Sequence, residues 1–348
     1  MEKRDYYFDN AKFILILFVV FGHLIQSYID KNSIIEAVYK FIYTFHMPAF
    51  ILVSGYFAKG FYNKGYIWKL TKKLILPYLI FQTIYTVFYY YLYDKSTLAV
   101  DPLNPQWALW FLLSLFCWNL LLLAFAKLKP IPSLALAFAI GLLVGYADWI
   151  SNYLSLSRTF VFFPLFLLGY FMERKTFSRL TETKSKIITS VIILAVLVSM
   201  YLFPDWNEKW LLGSKPYDVL GAEVPYSALL RAGVYILNIV MVLCFFSYVP
   251  DKKYFFTKWG KNTLYVYLLH GFLIKTFRAS DVSNHYSFDI GTYVILALVS
   301  FVLSILLSSK FITSLTQPII ELRANKWKKF KERFKVGFLH LKRMLGNE

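Results

Sequence analysis

Acidic residues are scarce in this chain, with 20 Asp and Glu against 38 Lys and Arg, and only 17% of its 348 residues are charged. Ordinary globular domains carry about 25% charged residues, so a water-soluble domain is excluded. There are two cysteines, Cys117 and Cys244, each inside an apolar run. That excludes a disulfide framework and a thiolate metal site. No polar linker divides the chain and no repeat is evident. Residues 1–10 are polar and no small-residue cleavage site follows the first apolar run, so no cleavable signal peptide is expected. What the chain has in quantity is apolar surface: 58% hydrophobic and 20% aromatic residues, with a mean hydropathy of +0.51.

A bilayer core takes about 20 apolar residues per helix. Runs of that kind recur over 11–28, 43–58, 74–93, 106–126, 131–148, 159–172, 187–204, 227–248, 262–277 and 290–312. The expected fold is therefore all-α, a polytopic membrane bundle of about ten helices. Threading these runs in and out puts Lys3, Arg4, the stretch from Lys59 to Lys73, Lys127, Lys129, the stretch from Arg174 to Lys186, that from Lys252 to Lys261 and the tail on one side. The other side mixes Lys31, Lys40, Lys95, Arg158, Lys209 and Lys215 with acids such as Asp30, Asp94, Asp101, Asp205, Glu208 and Asp218. The positive-inside rule then puts both termini in the cytoplasm. The net charge of +18 is topology and attraction to anionic lipid, not a nucleic-acid surface.

Residues 1–315 read as one transmembrane domain. Residues 316–348 read as a basic cytoplasmic tail, in which Trp327, Phe330, Phe334, Phe338 and Leu341 recur at amphipathic-helix spacing for the inner leaflet. The longest external connection, 205–226, is long enough to cap a pocket.

Ionisable residues inside spans must be compensated, and they mark function by default. His23 lies in FVVFGHLI, eleven residues after Lys12. At about 100° and 1.5 Å per residue the two share a helix face, roughly 16 Å apart along it. If Lys12 sits at the cytoplasmic boundary, His23 is near the midplane, and Gly22 beside it permits close approach of a helix or ligand. His270 and His46 are expected at middle or outer depth, while Trp107, Trp110, Arg158 and Arg231 lie at outer ends of spans. A polar, aromatic cavity open to the outer side would accommodate them all. Each also has a plainer reading: helix packing for the histidines, an interfacial belt for the tryptophans, snorkelling to headgroups for Arg158. The three histidines come from separate helices with no HxxxH spacing and no carboxylate nearby, so no metal is expected. On the cytoplasmic face, Lys59, Lys64, Lys69, Lys72 and Lys73 crowd the start of the third span. They read as topology or as a seat for a phosphorylated donor.

Taken in order, RDYYFDNAKFILILFVVFGHLI (4–25), FHMPAFILVSGYF (45–57), KKLILPYLIF (72–81), WALWFLLSLF (107–116), RTFVFFPLFLLGYF (158–171) and YVYLLH (265–270) resemble the membrane-bound acyltransferase family 3. The branch most resembled is that related to fucose 4-O-acetylase. The resemblance implies ten or more helices that move an acyl group, usually acetyl from acetyl-CoA, onto a carbohydrate hydroxyl, with the first-helix histidine, here His23, essential. The family commonly has arginine where this chain has Lys12. Its RxxR pattern before the third helix is matched here by Lys69 and Lys72, followed by Lys73, so charge is kept while bidentate geometry is not.

The expected function is an integral O-acetyltransferase of a bacterial plasma membrane, with His23 as general base and acetyl-CoA as donor held by Lys12, Lys69, Lys72 and Lys73. Its acceptor would be a cell-surface or lipid-linked carbohydrate contacted by His46, Trp107, Trp110, Arg158, Arg231 and His270. An acetyl-histidine intermediate is the other chemical route. The competing function is export of a polysaccharide or lipid-linked sugar, which would consume no acetyl-CoA.

Overall fold

A computed structural model describes residues 5–322 apart from 151, 222–225, 281 and 283–289. The described residues form helices and no strand. In chain order the helices are α1 (Tyr6–Ile25), α2 (Ser33–Tyr43), α3 (His46–Tyr56), α4 (Tyr66–Leu92), α5 (Trp110–Phe125), α6 (Pro130–Leu143) and α7 (Leu156–Phe171). They continue with α8 (Arg174–Leu180), α9 (Thr183–Leu202), α10 (Lys209–Leu212), α11 (Ser227–Tyr248), α12 (Thr263–Ala279), α13 (Ile290–Leu307) and α14 (Lys310–Ile320).

Each of the ten apolar runs becomes helical, but not all to the same depth. Among the described residues, seven helical segments are long and apolar enough to cross a bilayer, and α13 with α14 makes an eighth if that pair, bent by 62°, is one span. The fifth run, helical over Pro130–Tyr146, is shorter, and α12 has 17 residues. A helix rises about 1.5 Å per residue, so 17 residues cover about 26 Å of a roughly 30 Å core. Helix α14 crosses the expected domain boundary at 315, and residues 323–348 of the tail lie outside the described residues.

The second span differs most from its hydropathy pattern. Its helical segment runs over Ser33–Gly60 and is broken at Thr44 and Phe45, so the run expected from 43 begins ten residues earlier. Glu36 and Lys40 concealed the first half from a hydropathy reading, yet Lys40 is buried. Its ammonium pairs with Glu36 at 2.6 Å and donates to the Pro204 carbonyl. The break has a local cause. Pro48 lacks an N–H and its ring would clash with the carbonyl four residues back, so the chain restarts as a new helix at His46.

Helix α1 runs through the middle of the bundle. Asp5 caps it by accepting from the Tyr7 N–H at 3.0 Å. Its N-terminal end is clamped to the 250–261 segment: Asn10 donates to the Pro250 and Lys252 carbonyls at 2.8 Å each and accepts from Thr257 at 2.6 Å. The closest helix contact is between α3 and α7. There a Cβ added to Gly55 would lie 1.8 Å from the Phe166 carbonyl oxygen, and one added to Gly169 would lie 2.0 Å from that of Leu52. Two backbones meet with no side chain between them, as small residues permit in membranes.

Candidate active site

His23 occupies the last turn of α1 and lines a cavity of about 210 Å³. Its Nδ1 lies 3.1 Å from the Tyr43 hydroxyl of α2, and the Tyr43 ring packs at a tilt against Tyr39 with centroids 4.0 Å apart. Gly22 makes this approach possible. A Cβ there would sit 3.2 Å from Tyr43 Cε2, so the partner that comes close is a tyrosine of the neighbouring helix.

On the other side of the imidazole is Trp107, with ring centroids 4.5 Å apart. Trp107 holds a φ of 39°, a left-handed conformation that bulky residues rarely adopt and that costs on the order of 1–3 kcal/mol. The preceding loop is tied down so that it persists. The Gln82 amide donates to the carbonyls of Asp101 at 2.5 Å and Asn104 at 2.8 Å, its oxygen accepts from the Gln106 N–H, and Tyr78 donates to the Pro102 carbonyl. Within this loop the side-chain amide of Asn104 and the Leu103 N–H hold the Asp101 carboxyl below its ordinary pKa. Room for the indole comes from Gly271, where a Cβ would lie 2.7 Å from Trp107.

His270 stacks beside His23 with centroids 5.6 Å apart and packs against Trp107 at 5.2 Å. Its Nδ1 faces the Tyr267 and Val266 carbonyls at 2.8 and 3.0 Å. A carbonyl only accepts, so Nδ1 carries the proton. His46 is arranged alike, with Nδ1 donating to the Ile42 carbonyl at 2.9 Å. Both rings are buried; His46 lines the cavity and His270 stands behind its wall.

Trp107, Trp110 and Arg158 line the same cavity. The Arg158 guanidinium lies 5.0 Å over Trp110, and its Nε donates to the Leu212 carbonyl at 3.3 Å. Leu211 and Leu212 also line it, so the 205–221 segment does cap the pocket. Arg231 is placed elsewhere. It donates to the Trp210 carbonyl at 2.6 Å and stacks on Trp210 at 4.9 Å and Tyr217 at 6.0 Å. It holds the cap from beneath without lining the cavity, because Trp210 and Tyr217 stand around it.

A second cavity of about 370 Å³ opens on the Lys12 side of the bundle, lined by Lys12, Ser54, Lys73, Thr263 and Tyr267 among apolar residues. Val19, Met47 and Tyr267 line both cavities, so three side chains are shared walls between them. Lys12 pairs with Asp9 at 3.1 Å. Of the three lysines expected before the third span, Lys73 lines this cavity, whereas Lys69 is exposed and Lys72 lies 4.7 Å over Trp68. Residues 69, 72 and 73 span an arc of about 100° around α4, and of the three only Lys73 lines this cavity. No group of three His, Cys, Asp or Glu among the described residues could hold a metal ion.

A family model described as an acyltransferase domain matches residues 5–309. The chain belongs to this acyltransferase family. With several long apolar helices, it is a multi-pass membrane member of that family. The chain is 28% identical over 222 residues to nodulation protein NolL of Sinorhizobium fredii, a match covering 60% of this chain and 59% of that relative. It is 36% identical over 91 residues to nodulation protein NolL of Mesorhizobium japonicum, covering 24% of each. The match thus spans less than two thirds of these relatives. No solved structure matches.

Sequence reasoning missed Tyr39, Tyr43, Gln26, Tyr267, Lys275 and Arg278. Arg278 donates to the His23 carbonyl at 2.7 Å and to Gln26 at 2.6 Å. One signal was available: two of the three site histidines have a glycine neighbour, GH at 22–23 and HG at 270–271, and each glycine admits an aromatic ring.

Proposed function

We propose that this protein transfers an acetyl group from cytosolic acetyl-CoA to a hydroxyl of a cell-surface or lipid-linked carbohydrate, with His23 as general base. The observation that carries this reading is the pair of cavities separated by Val19, Met47 and Tyr267, one lined by Lys12 and Lys73, the other by His23. A thioester donor with its phosphates on the two ammonium groups would extend toward the shared wall. An acceptor would enter the smaller cavity, whose volume holds about seven waters at roughly 30 Å³ each. That is space for a reacting sugar, not a polymer.

In the reaction, the acceptor hydroxyl gives its proton to the imidazole as its oxygen attacks the thioester carbonyl carbon. The tetrahedral oxyanion collapses, the C–S bond breaks, and the CoA thiolate takes the proton from the imidazolium. The Tyr43 contact at Nδ1 suits the tautomer in which Nδ1–H donates to the phenol oxygen and Nε2 accepts. Arg158, lining the cavity, is the cation available to the oxyanion, and Trp107 and Trp110 offer faces on which a sugar can stack.

Membranes containing the protein, given acetyl-CoA radiolabelled in the acetyl group, are expected to release CoA and yield labelled glycan. Transport of labelled glycan without CoA release would favour the export reading and defeat this one. Tyr43→Phe keeps the ring and removes the hydroxyl, so kcat is expected to fall about 10- to 100-fold, less than the full contribution of a general base. The KM for acetyl-CoA should hold, since Tyr43 does not line the larger cavity. Lys73→Ala is expected to raise that KM about tenfold through loss of a charge-assisted contact, measured by initial rates over a range of acetyl-CoA concentrations.

A further inference from the structure

We propose that the acceptor is anionic, and that its phosphate or carboxylate seats on a cationic corner formed by Lys275 and Arg278 beside Trp107. This rests on the acyl-transfer reading above and names the substrate class for the His23 site.

The two cations stand three residues apart on α12, where like charges repel. Neither has an acidic partner among the described residues, whose ion pairs are Lys12 with Asp9, Lys40 with Glu36 and Arg174 with Asp5. Arg278 spends one nitrogen on neutral acceptors, the His23 carbonyl and the Gln26 amide oxygen. Its Nε is buried without a hydrogen bond. The Lys275 ammonium lies 5.1 Å over Trp107 and 5.7 Å over Tyr89, and Arg278 lies 5.8 Å from the same indole. Among the described residues, no Asp or Glu lines the adjoining cavity.

Cations at membrane depth are ordinarily paired, or face a polar path and mark the substrate. Buried Lys40 shows that this fold supplies an acid where a cation serves packing. Arg231 lacks an acid too, but it has no like-charged neighbour on its helix and grips the cap. Lys275 and Arg278 are a repelling pair held at a site. Their position explains the arrangement. The Trp107 ring touches His23 on one side and carries both cations nearby, so a sugar ring against the indole could present its hydroxyl to the imidazole and its charge to the corner.

The test is calorimetric titration of the purified full-length protein at low salt with three probes: methyl glucoside, methyl glucuronide and methyl glucoside 6-phosphate. An anionic probe is expected to bind about 10- to 100-fold tighter than the neutral one. The preference should collapse in Lys275→Gln and return in Lys275→Arg, which also shows that the position tolerates change. Preference for the glucuronide alone assigns a carboxylate, for the phosphate alone a phosphate, and either supports the proposal. Equal binding of all three probes, or a preference that survives in Lys275→Gln, overturns it. These outcomes are independent of acetyl transfer. Failure of the His23 reading would appear as unchanged turnover in a His23 variant, whatever the probes do.

Discussion

Replacing His23 with alanine is expected to lower acetyl transfer by about 10²–10⁴-fold, the contribution of a positioned general base, while acetyl-CoA still binds. The two effects separate because His23 lines the smaller cavity and not the one that holds Lys12 and Lys73. Calorimetry with CoA and release of free thiol measure the two halves. Truncation also removes the partner of Tyr43 and a ring packed on Trp107 and His270, so the purified variant should be checked by gel filtration. His23→Asn, which keeps a polar group facing Tyr43, serves as the better-packed second variant and should be equally inactive. Full turnover in either would show that the proton goes elsewhere. His46 and His270 are held as the same Nδ1–H tautomer by backbone carbonyls, but both are buried and His270 does not line the smaller cavity, whereas His23 is partly exposed in it.

Gly169→Ala should cost about 3 kcal/mol or more of stability, the upper part of the range for overpacked sites. An added Cβ would lie 2.0 Å from the Leu52 carbonyl oxygen, and backbone cannot rotate away as a side chain can. Helices α3 and α7 would have to separate. Gly55→Ala should do the same, because its Cβ would meet the Phe166 carbonyl at 1.8 Å. The two changes act on one contact, so the double variant should lose less than the sum. Thermal unfolding in detergent measures this, with Gly233→Ala as the control, since a Cβ there meets nothing within 4 Å. That substitution should be neutral or gain up to about 1 kcal/mol from helix propensity. Activity should fall with the glycine variants, since α3 carries His46 and Met47 and α7 carries Arg158 into the cavity wall. A Gly169→Ala protein as stable as its parent would show that the helices are not in backbone contact.

The contrast between Lys73 and its neighbours shows where sequence reading stopped. Charge, spacing and family resemblance offered Lys69, Lys72 and Lys73 together, and they do share one helix face, but only Lys73 reaches the lining of the larger cavity. Arg231 was expected at the acceptor site because of its depth, and depth says nothing about direction around the bundle axis. Lys275 and Arg278 drew no notice since they sit near the end of a span, where snorkelling is an adequate reading of a basic residue. Tyr43 stood at the very edge of the expected second run, and the helix before it was read as a loop because the pairing of Glu36 with buried Lys40 is invisible to a hydropathy average.

The sequence by itself determined the class: recurrent apolar runs require helices in a bilayer, since no other local structure satisfies every backbone group within one segment. It also singled out His23, because an imidazole in such a run must be compensated. Tertiary structure alone decided what compensates it. Tyr43, Trp107, His270 and Arg278 come from α2, α12 and the loop before α5, and nothing local to any of these segments encodes their meeting. Helix packing does so, through glycines at 22 and 271 that leave space for rings and glycines at 55 and 169 that let backbones touch.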